Sequence, residues 1–326
     1  MSEAVIGRET EMTKVVSAVK KSQKVFLYGI DGIGKTTVLS EAMKRLPKNT
    51  VAAYFSFSML DTLTADEFLE RFGKSLLGAY EERLGLGDID ELYGLSIVDL
   101  DIHLKNCRLS NTVKEKLKVS VASGQQKKKD HKGCLAALLQ LADLLAAETG
   151  TRCAIMFDDI QVVSGIREGL DSSGIMGAVE NSFSLHSHTS LVMAGTRMPA
   201  GFSSDFLVGI ERIGLSPLTK TEAGKDYDYH LGIPLYMRLG KGAMQAIGLL
   251  FSERLNRLST KERIILFTMA KASVNTPSTI AKEIDYSQTS VRRFLTIMEE
   301  KGFVSLKARG RFEIDDPVFE RWLKER

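Results

Sequence analysis

Several residue types are scarce in this chain, and each scarcity excludes something. Of 326 residues only six are proline, one is tryptophan and three are cysteine, and the charges nearly cancel at +3. So few prolines rule out a collagen-like or proline-rich low-complexity polymer. Cys107, Cys134 and Cys153 are odd in number and widely spaced, with no CxxC pair. They build neither a disulfide framework nor a zinc site, and they predict reduced thiols. The most apolar runs, Ala243 to Phe251 and Ile264 to Ala270, stop far short of the ~20 residues a membrane span needs. The first residues, Met1-Ser2-Glu3-Ala4-Val5-Ile6, are acidic and too poor in apolar content for a signal peptide. The expectation is a soluble, cytoplasmic protein. The small net charge also gives no bulk signal for a nucleic-acid partner, so any such role must come from local patterning.

What is present is a folding chain. Its hydrophobic fraction of 44% is that of a globular protein, and at ~100–200 residues per domain the length predicts two or three domains. The first informative stretch is Lys24-Val25-Phe26-Leu27-Tyr28, an apolar run that reads as a buried strand. It breaks into Gly29-Ile30-Asp31-Gly32-Ile33-Gly34-Lys35-Thr36-Thr37, and a helical pattern follows through Val38, Leu39, Ala42, Met43 and Leu46 until Pro47. Strand, glycine-rich loop, helix is the context that gives the G-x-x-x-x-G-K-[ST] pattern its meaning. The glycines let the backbone wrap closely and turn its N–H groups inward around phosphate oxygens. The new helix adds its positive end. Lys35 supplies a point charge to the β- and γ-phosphates, and the Thr36 hydroxyl is placed to ligate Mg²⁺.

Such a site needs a carboxylate on a second strand. The apolar run Ala154-Ile155-Met156-Phe157 ends in Asp158-Asp159. Asp158 is the natural metal-side carboxylate, and Asp159 is placed to orient or activate an attacking water. A third apolar run, Ser190 to Ala194, ends in Gly195-Thr196-Arg197. Arg197 reads as a γ-phosphate sensor, with a surface arginine as the alternative. Val51 to Phe57 predicts another strand, and Leu207 to Ile213 a further short one. Strands alternating with helices predict an α/β fold, a parallel sheet with helices on both faces. Between Leu84 and Gly133 the pattern is weak. Residues 123–133 are polar and basic and read as a solvated loop, with a nucleic-acid contact as the alternative. Leu135 to Ala147 then predicts a sheet-covering helix. His186 and His188 lack the supporting ligands of a metal site.

Together these motifs resemble the P-loop ATPases of the AAA+/STAND superclass, most closely the archaeal ATPase family. Ile6-Gly7-Arg8-Glu9-Thr10-Glu11-Met12 looks like that group's GRExE signature, which implies that Gly7 and Arg8 lie against the nucleotide base. Gly232-Ile233-Pro234-Leu235-Tyr236 is similar to the GxP motif of a small helical lid, which implies that Pro234 contacts the adenine side. The resemblance implies a core over residues 1–215, a lid over 216–254, and ATP with Mg²⁺ as cofactors. Two features depart from the pattern. Asp159 stands where many hydrolysing members carry Glu, and its shorter arm predicts slow turnover. No trans-acting arginine finger is apparent, and Arg238 reads as a lid sensor, with a surface arginine as the alternative.

Residues 255–326 read as a third, small domain. Thr260 is expected to cap a helix carrying Ile264, Ile265, Phe267 and Met269. A short helix over Ser278 to Ile284, a turn and a helix over Gln288 to Lys301 follow. Two apolar strands then flank Lys307-Ala308-Arg309-Gly310. That order is the winged helix-turn-helix layout, whose third helix enters a DNA major groove. Thr289, Arg292 and Arg293 on that helix, with Lys307, Arg309 and Arg311 on the wing, are the candidate DNA contacts. This stretch holds 14 Lys+Arg against 10 Asp+Glu, so it carries +4 of a chain whose total is +3. Trp322, in a terminal helix, reads as a packing anchor. The expected function is an ATPase switch that couples nucleotide state to double-stranded DNA binding. The alternatives are a signalling or assembly ATPase whose winged helix contacts protein or a second copy, and a P-loop kinase.

Overall fold

In the computed structural model, which describes residues 6–84, 89–105, 107, 109–122, 130–166, 169–224, 227–239 and 244–326, four of the apolar runs are strands. They are β1 (Lys24–Tyr28), β2 (Thr50–Ser56), β3 (Arg152–Asp158) and β4 (Thr189–Gly195), joined by β5 (Ile210–Gly214). Among the described residues they form one sheet in the order β2-β3-β4-β1-β5, with every neighbouring pair parallel. All seven residues of β4 are buried, as are Val25 to Leu27 of β1 and Cys153 to Asp158 of β3. Central parallel strands covered on both faces read as unbroken apolar runs for this reason.

The expected strand over Leu207 to Ile213 is half wrong. Ser203 accepts a hydrogen bond from the Phe206 N–H and starts a short helix through Val208, which is 87% exposed; Gly209 ends it and the strand begins at Ile210. A local cap outcompeted the strand propensity of Leu207 and Val208. The helix expected from Leu135 begins earlier, at His131, because Asp130 caps it by accepting from the Gly133 N–H.

The chain divides into two compact units, Met1–Tyr28 with Lys35–Gly214, and Gly29–Gly34 with Leu215–Arg326. The first contains the five-stranded sheet and helices α1 (Glu9–Lys20), α2 (Lys35–Lys44), α3 (Ala65–Gly78), α4 (Glu81–Leu84), α5 (Ile89–Gly94), α6 (Ile97–Lys105), α7 (Asn111–Ala122), α8 (His131–Glu148), α9 (Ser172–Phe183) and α10 (Ser204–Val208). Part of its core is an aromatic cluster. Phe55 of β2, Phe157 of β3, Phe57, and Phe68 and Phe72 of α3 meet with ring centroids 5.1–6.4 Å apart. Such ring pairs add specificity beyond area burial, and they pin β2 to β3 just where the two strands end. Residues 123–129, most of the basic segment, lie outside the described residues.

The second unit contains α11 (Lys220–Ala223), α12 (Tyr227–His230), α13 (Pro234–Leu239), α14 (Met244–Asn256), α15 (Thr260–Ala272), α16 (Pro277–Ile284), α17 (Gln288–Glu300), the antiparallel pair β6 (Val304–Leu306) and β7 (Phe312–Ile314), and α18 (Pro317–Glu325). Ser259, not Thr260, caps α15: it accepts from the Glu262 N–H while Glu262 reaches back to the Ser259 N–H at 2.6 Å, a reciprocal capping box. Asp316, 1% exposed, is a junction. Its Oδ1 accepts from the Val318 and Phe319 N–H groups at 3.0 Å, capping α18, while its Oδ2 accepts from the Tyr236 hydroxyl and from Arg254 at 2.8 Å. Tyr236 on α13 and Arg254 on α14 are thereby tied to the start of the last helix. Trp322 stacks on Phe319 at 5.8 Å and meets Phe251 of α14 at 5.3 Å, so the only tryptophan is part of this core.

Candidate functional site

Parallel strands deliver their loops to one edge of the sheet, and a site there is assembled from strand ends. In the first unit, β3 ends in Asp158-Asp159, β4 ends in Thr196-Arg197, and α2 opens with Lys35 and Thr36. Lys35 is buried, and Thr36 is exposed. Thr36 donates its hydroxyl proton to Asp158 Oδ2 at 2.6 Å, across 122 residues of sequence. The helix-start hydroxyl and the strand-end carboxylate expected to hold the same metal are therefore already in contact.

Asp158 is fully buried, and both of its carboxylate oxygens accept hydrogen bonds. Oδ2 also accepts from the Tyr54 hydroxyl at 2.9 Å, and Oδ1 accepts from the Asp159 N–H at 2.9 Å. Burial raises its carboxyl above the ordinary range, the Thr36 and Tyr54 hydrogen bonds oppose the rise, and the neighbouring Asp159 charge adds to it. Burial and the Asp158 charge push the Tyr54 phenol up, so it remains a donor. Two hard oxygen donors beside phosphates suit Mg²⁺, which takes one or two protein ligands and fills its octahedron with phosphate and water. Among the described residues no cluster of three or more His, Cys, Asp or Glu forms a self-sufficient metal cage.

Asp159 has a left-handed backbone, φ 52°, a conformation that Asp tolerates better than most residues. Its carboxylate is held from two sides. Ser56, at the end of β2, donates to Oδ2 at 3.1 Å, and Gln161 Nε2 approaches Oδ1 at 3.4 Å. The Oε1 of the same Gln161 accepts the Thr196 N–H at 3.1 Å. Arg197 is half-buried in the turn after β4.

Tyr54, Ser56 and Gln161 are the residues that sequence reasoning missed. A signal existed for two of them. Tyr54 and Ser56 are alternate polar side chains in an otherwise apolar strand, so both point to one face. The register sets Ser56 beside Asp158. Gln161 carried none.

The remaining expected residues lie as follows. Gly7, with φ 66°, and buried Arg8 precede α1, where Arg8 pairs with Glu11 at 3.5 Å. Thr37 lies on α2, half-buried. Gly29, Ile30, Asp31, Gly32, Ile33 and Gly34 belong to the second unit. Gly32 and Gly34 have φ of 77° and 98°, open only to glycine without strain. Ile33 is buried, and Asp31 is exposed. Within that unit the Leu235 N–H donates to the Gly32 carbonyl at 3.1 Å, and a side chain at Gly32 would collide with Leu235. Pro234, the first residue of α13, lies against Gly34. The motif around Pro234 therefore packs on the glycine loop. Arg238 is exposed further along α13.

Thr289, Arg292 and Arg293 share the exposed face of α17, opposite buried Val291, Leu295 and Met298. Lys307, Arg309 and Arg311 are exposed around the β6–β7 turn, where Arg309 has φ 61° and the Lys307 N–H bonds the Arg311 carbonyl at 2.7 Å. His186 packs against Phe183, ring to ring at 4.6 Å.

A family model described as an AAA ATPase domain matches residues 4–176. No curated protein matches the chain. Among solved structures, the chain is similar to the Walker-type ATPase PABY2304 of Pyrococcus abyssi, at 15% identity over 98% of this chain and 96% of that one, with a TM-score of 0.67. It is also similar to the ORC2 protein of Aeropyrum pernix in its ADPNP–ADP complexes, at 13% identity over 100% and 95% of the two chains, with a TM-score of 0.55. These likenesses are of fold, and they extend over the whole chain. Among the described residues no helix is long and apolar enough to cross a membrane.

Proposed function

The chain belongs to the AAA ATPase domain family, and from that premise we propose that it is an ATP-hydrolysing switch whose C-terminal residues 255–326 act as a winged helix on double-stranded DNA. The observation that carries the ATPase part is the 2.6 Å contact between Thr36 and Asp158. Thr36 would hold Mg²⁺ through its hydroxyl oxygen while still donating its O–H to Asp158, whose carboxylate would orient that ligand and supply negative charge beside the ion. Lys35 and the loop Gly29 to Gly34 take the phosphates, Asp159 orients the water, and Arg197 stabilises charge on the γ-phosphate. Gly7, Arg8 and Pro234 are the residues for the base.

The DNA part rests on charge and placement. Exposed Arg292 and Arg293 share a helix face with Thr289, and exposed Lys307, Arg309 and Arg311 follow on the hairpin turn. Titration of labelled duplex DNA at several salt concentrations, with and without ATP, tests it. The expected result is an affinity that falls steeply with salt, changes with nucleotide, and weakens in Arg292→Ala plus Arg293→Ala. Absence of salt-sensitive binding would favour the second reading, in which the same domain contacts protein. Acidic Glu299, Glu300, Glu313 and Asp315 close to the basic residues favour that reading. For the ATPase part, Lys35→Ala is expected to abolish ATP binding, and retained affinity would overturn it.

A further inference from the structure

We propose that Gln161 is a positioning residue for ATP hydrolysis, holding the Asp159 carboxylate in fixed relation to the Thr196-Arg197 turn. The inference rests on the ATPase reading above and adds to it a part that the motif pattern does not supply.

Three observations converge on the one side chain. Its Nε2 faces Asp159 Oδ1 at 3.4 Å, the long end of a hydrogen bond and a common spacing before a reacting complex tightens. Its Oε1 accepts the Thr196 N–H at 3.1 Å. A Cβ on Gly195 would come within 2.6 Å of that same Oε1, so the last residue of β4 has no side chain where the amide carbonyl sits.

The chemistry is polar in one sense only. A carboxylate accepts and a backbone N–H donates, so the bridging group must donate at one end and accept at the other. A glutamine amide does both, and its orientation follows from its two partners. Asp159 has the short arm of the two acidic side chains and a left-handed backbone, so the chain around it leaves its carboxylate reach limited. Ser56 holds Oδ2 from the β2 side and Gln161 holds Oδ1 from the β4 side. The Gln161 link spans β3 and β4, the two strand ends that must act together on water and on the γ-phosphate. A shift of the turn after β4 is passed to Asp159 through one amide.

The experiment uses the full chain and three variants. Gln161→Ala removes both bonds. Gln161→Glu keeps an acceptor for the Thr196 N–H but sets a second negative charge against Asp159. Gly195→Ala leaves Gln161 in place chemically and pushes its carbonyl aside, while also meeting Ile160 Cγ2 at 2.7 Å. Misplacement of a catalytic group on the ångström scale costs up to about 100-fold, so each variant is expected to lower kcat by about 10-fold or more, with KM and ATP affinity within about 2-fold. Thr196 amide exchange should accelerate in Gln161→Ala and stay protected in Gln161→Glu, a separation that general loosening of the fold would not produce.

Variants with kcat near wild type, a kcat loss matched by loss of ATP affinity, or an unchanged Thr196 amide in Gln161→Ala would each overturn the proposal. Failure of the underlying ATPase reading is visible separately. It appears as a wild-type chain that hydrolyses no ATP, whereas failure of this inference alone leaves wild-type hydrolysis intact and Gln161 irrelevant to it.

Discussion

Replacing Tyr54 by Phe removes one hydroxyl and tests the electrostatics of the acidic pair. The lost group donates to Asp158 Oδ2 at 2.9 Å, beside Thr36 on the same oxygen. A hydrogen bond to a charged group is worth about 1.5–3 kcal/mol net, against about 0.5–1.5 between neutral groups. Burial already lifts the Asp158 carboxyl, and the Tyr54 bond is one of the opposing influences. Its loss therefore raises that carboxyl further. A carboxyl raised on folding holds its proton more tightly in the native state. The stability tied to it is therefore fully present below the unfolded value and is lost as pH climbs through the native one. Tyr54→Phe moves the upper end of that window higher and deepens the loss above it. The expected destabilisation is greater at high pH, about 1.5–3 kcal/mol for a bond to the charged carboxylate, than at low pH, about 0.5–1.5 kcal/mol for a bond to the protonated one, and measurements at pH 7.5 and pH 4 compare the two. Trp322 lies in the second unit and does not report on this event. Amide exchange along β3 under increasing urea does. Equal destabilisation at both pH values, or none at pH 7.5, would refute the reasoning.

Three further outcomes are expected. Asp159→Asn should slow ATP hydrolysis by about 100-fold or more while ATP affinity stays unchanged; an unaltered rate in a single-turnover assay removes Asp159 from the chemistry. Gly232→Ala places a Cβ 2.0 Å from the Leu218 carbonyl oxygen at φ 74°. The left-handed backbone alone costs about 1–2 kcal/mol, and the backbone collision adds to it, so unfolding followed by Trp322 fluorescence should shift to clearly lower urea. Asp316→Ala should destabilise the second unit by about 3–5 kcal/mol by leaving Arg254 without its buried partner. Asp316→Asn should cost less because Asn caps a helix as well as Asp, and the same fluorescence assay separates the two.

The parts of the fold readable in sequence were those where one constraint dominates. β1, β3 and β4 are buried on both faces, and nothing but an apolar run fits there. The glycine loop, Lys35, Thr36 and the acidic pair stand in fixed local order along the chain. The start of α10 was not readable, because a single Ser203 hydroxyl decides it against the strand propensity of Leu207 and Val208. The shell around the acidic residues was hidden for a different reason. The alternation of Tyr54 and Ser56 marks a shared face, but which carboxylates that face meets is set by the register of β2 on β3, and the place of Gln161 by the bare Cα of Gly195, pairings distant in sequence. Gln161 in particular is an ordinary polar residue until two strand ends converge on its amide.

The packing of the glycine loop bears on where this protein can be divided. Gly29 faces the Leu215 backbone, and Gly32 accepts from the Leu235 N–H, although the loop is threaded between the first strand and the second helix. A chain cut after Gly214 would retain the sequence of every strand in the large sheet, and everything the family match covers. It would also strip the loop of the two leucines that shape it. The glycine loop therefore draws part of its support from polypeptide beyond the stretch that the family match covers, and exchange of the C-terminal third would replace that support.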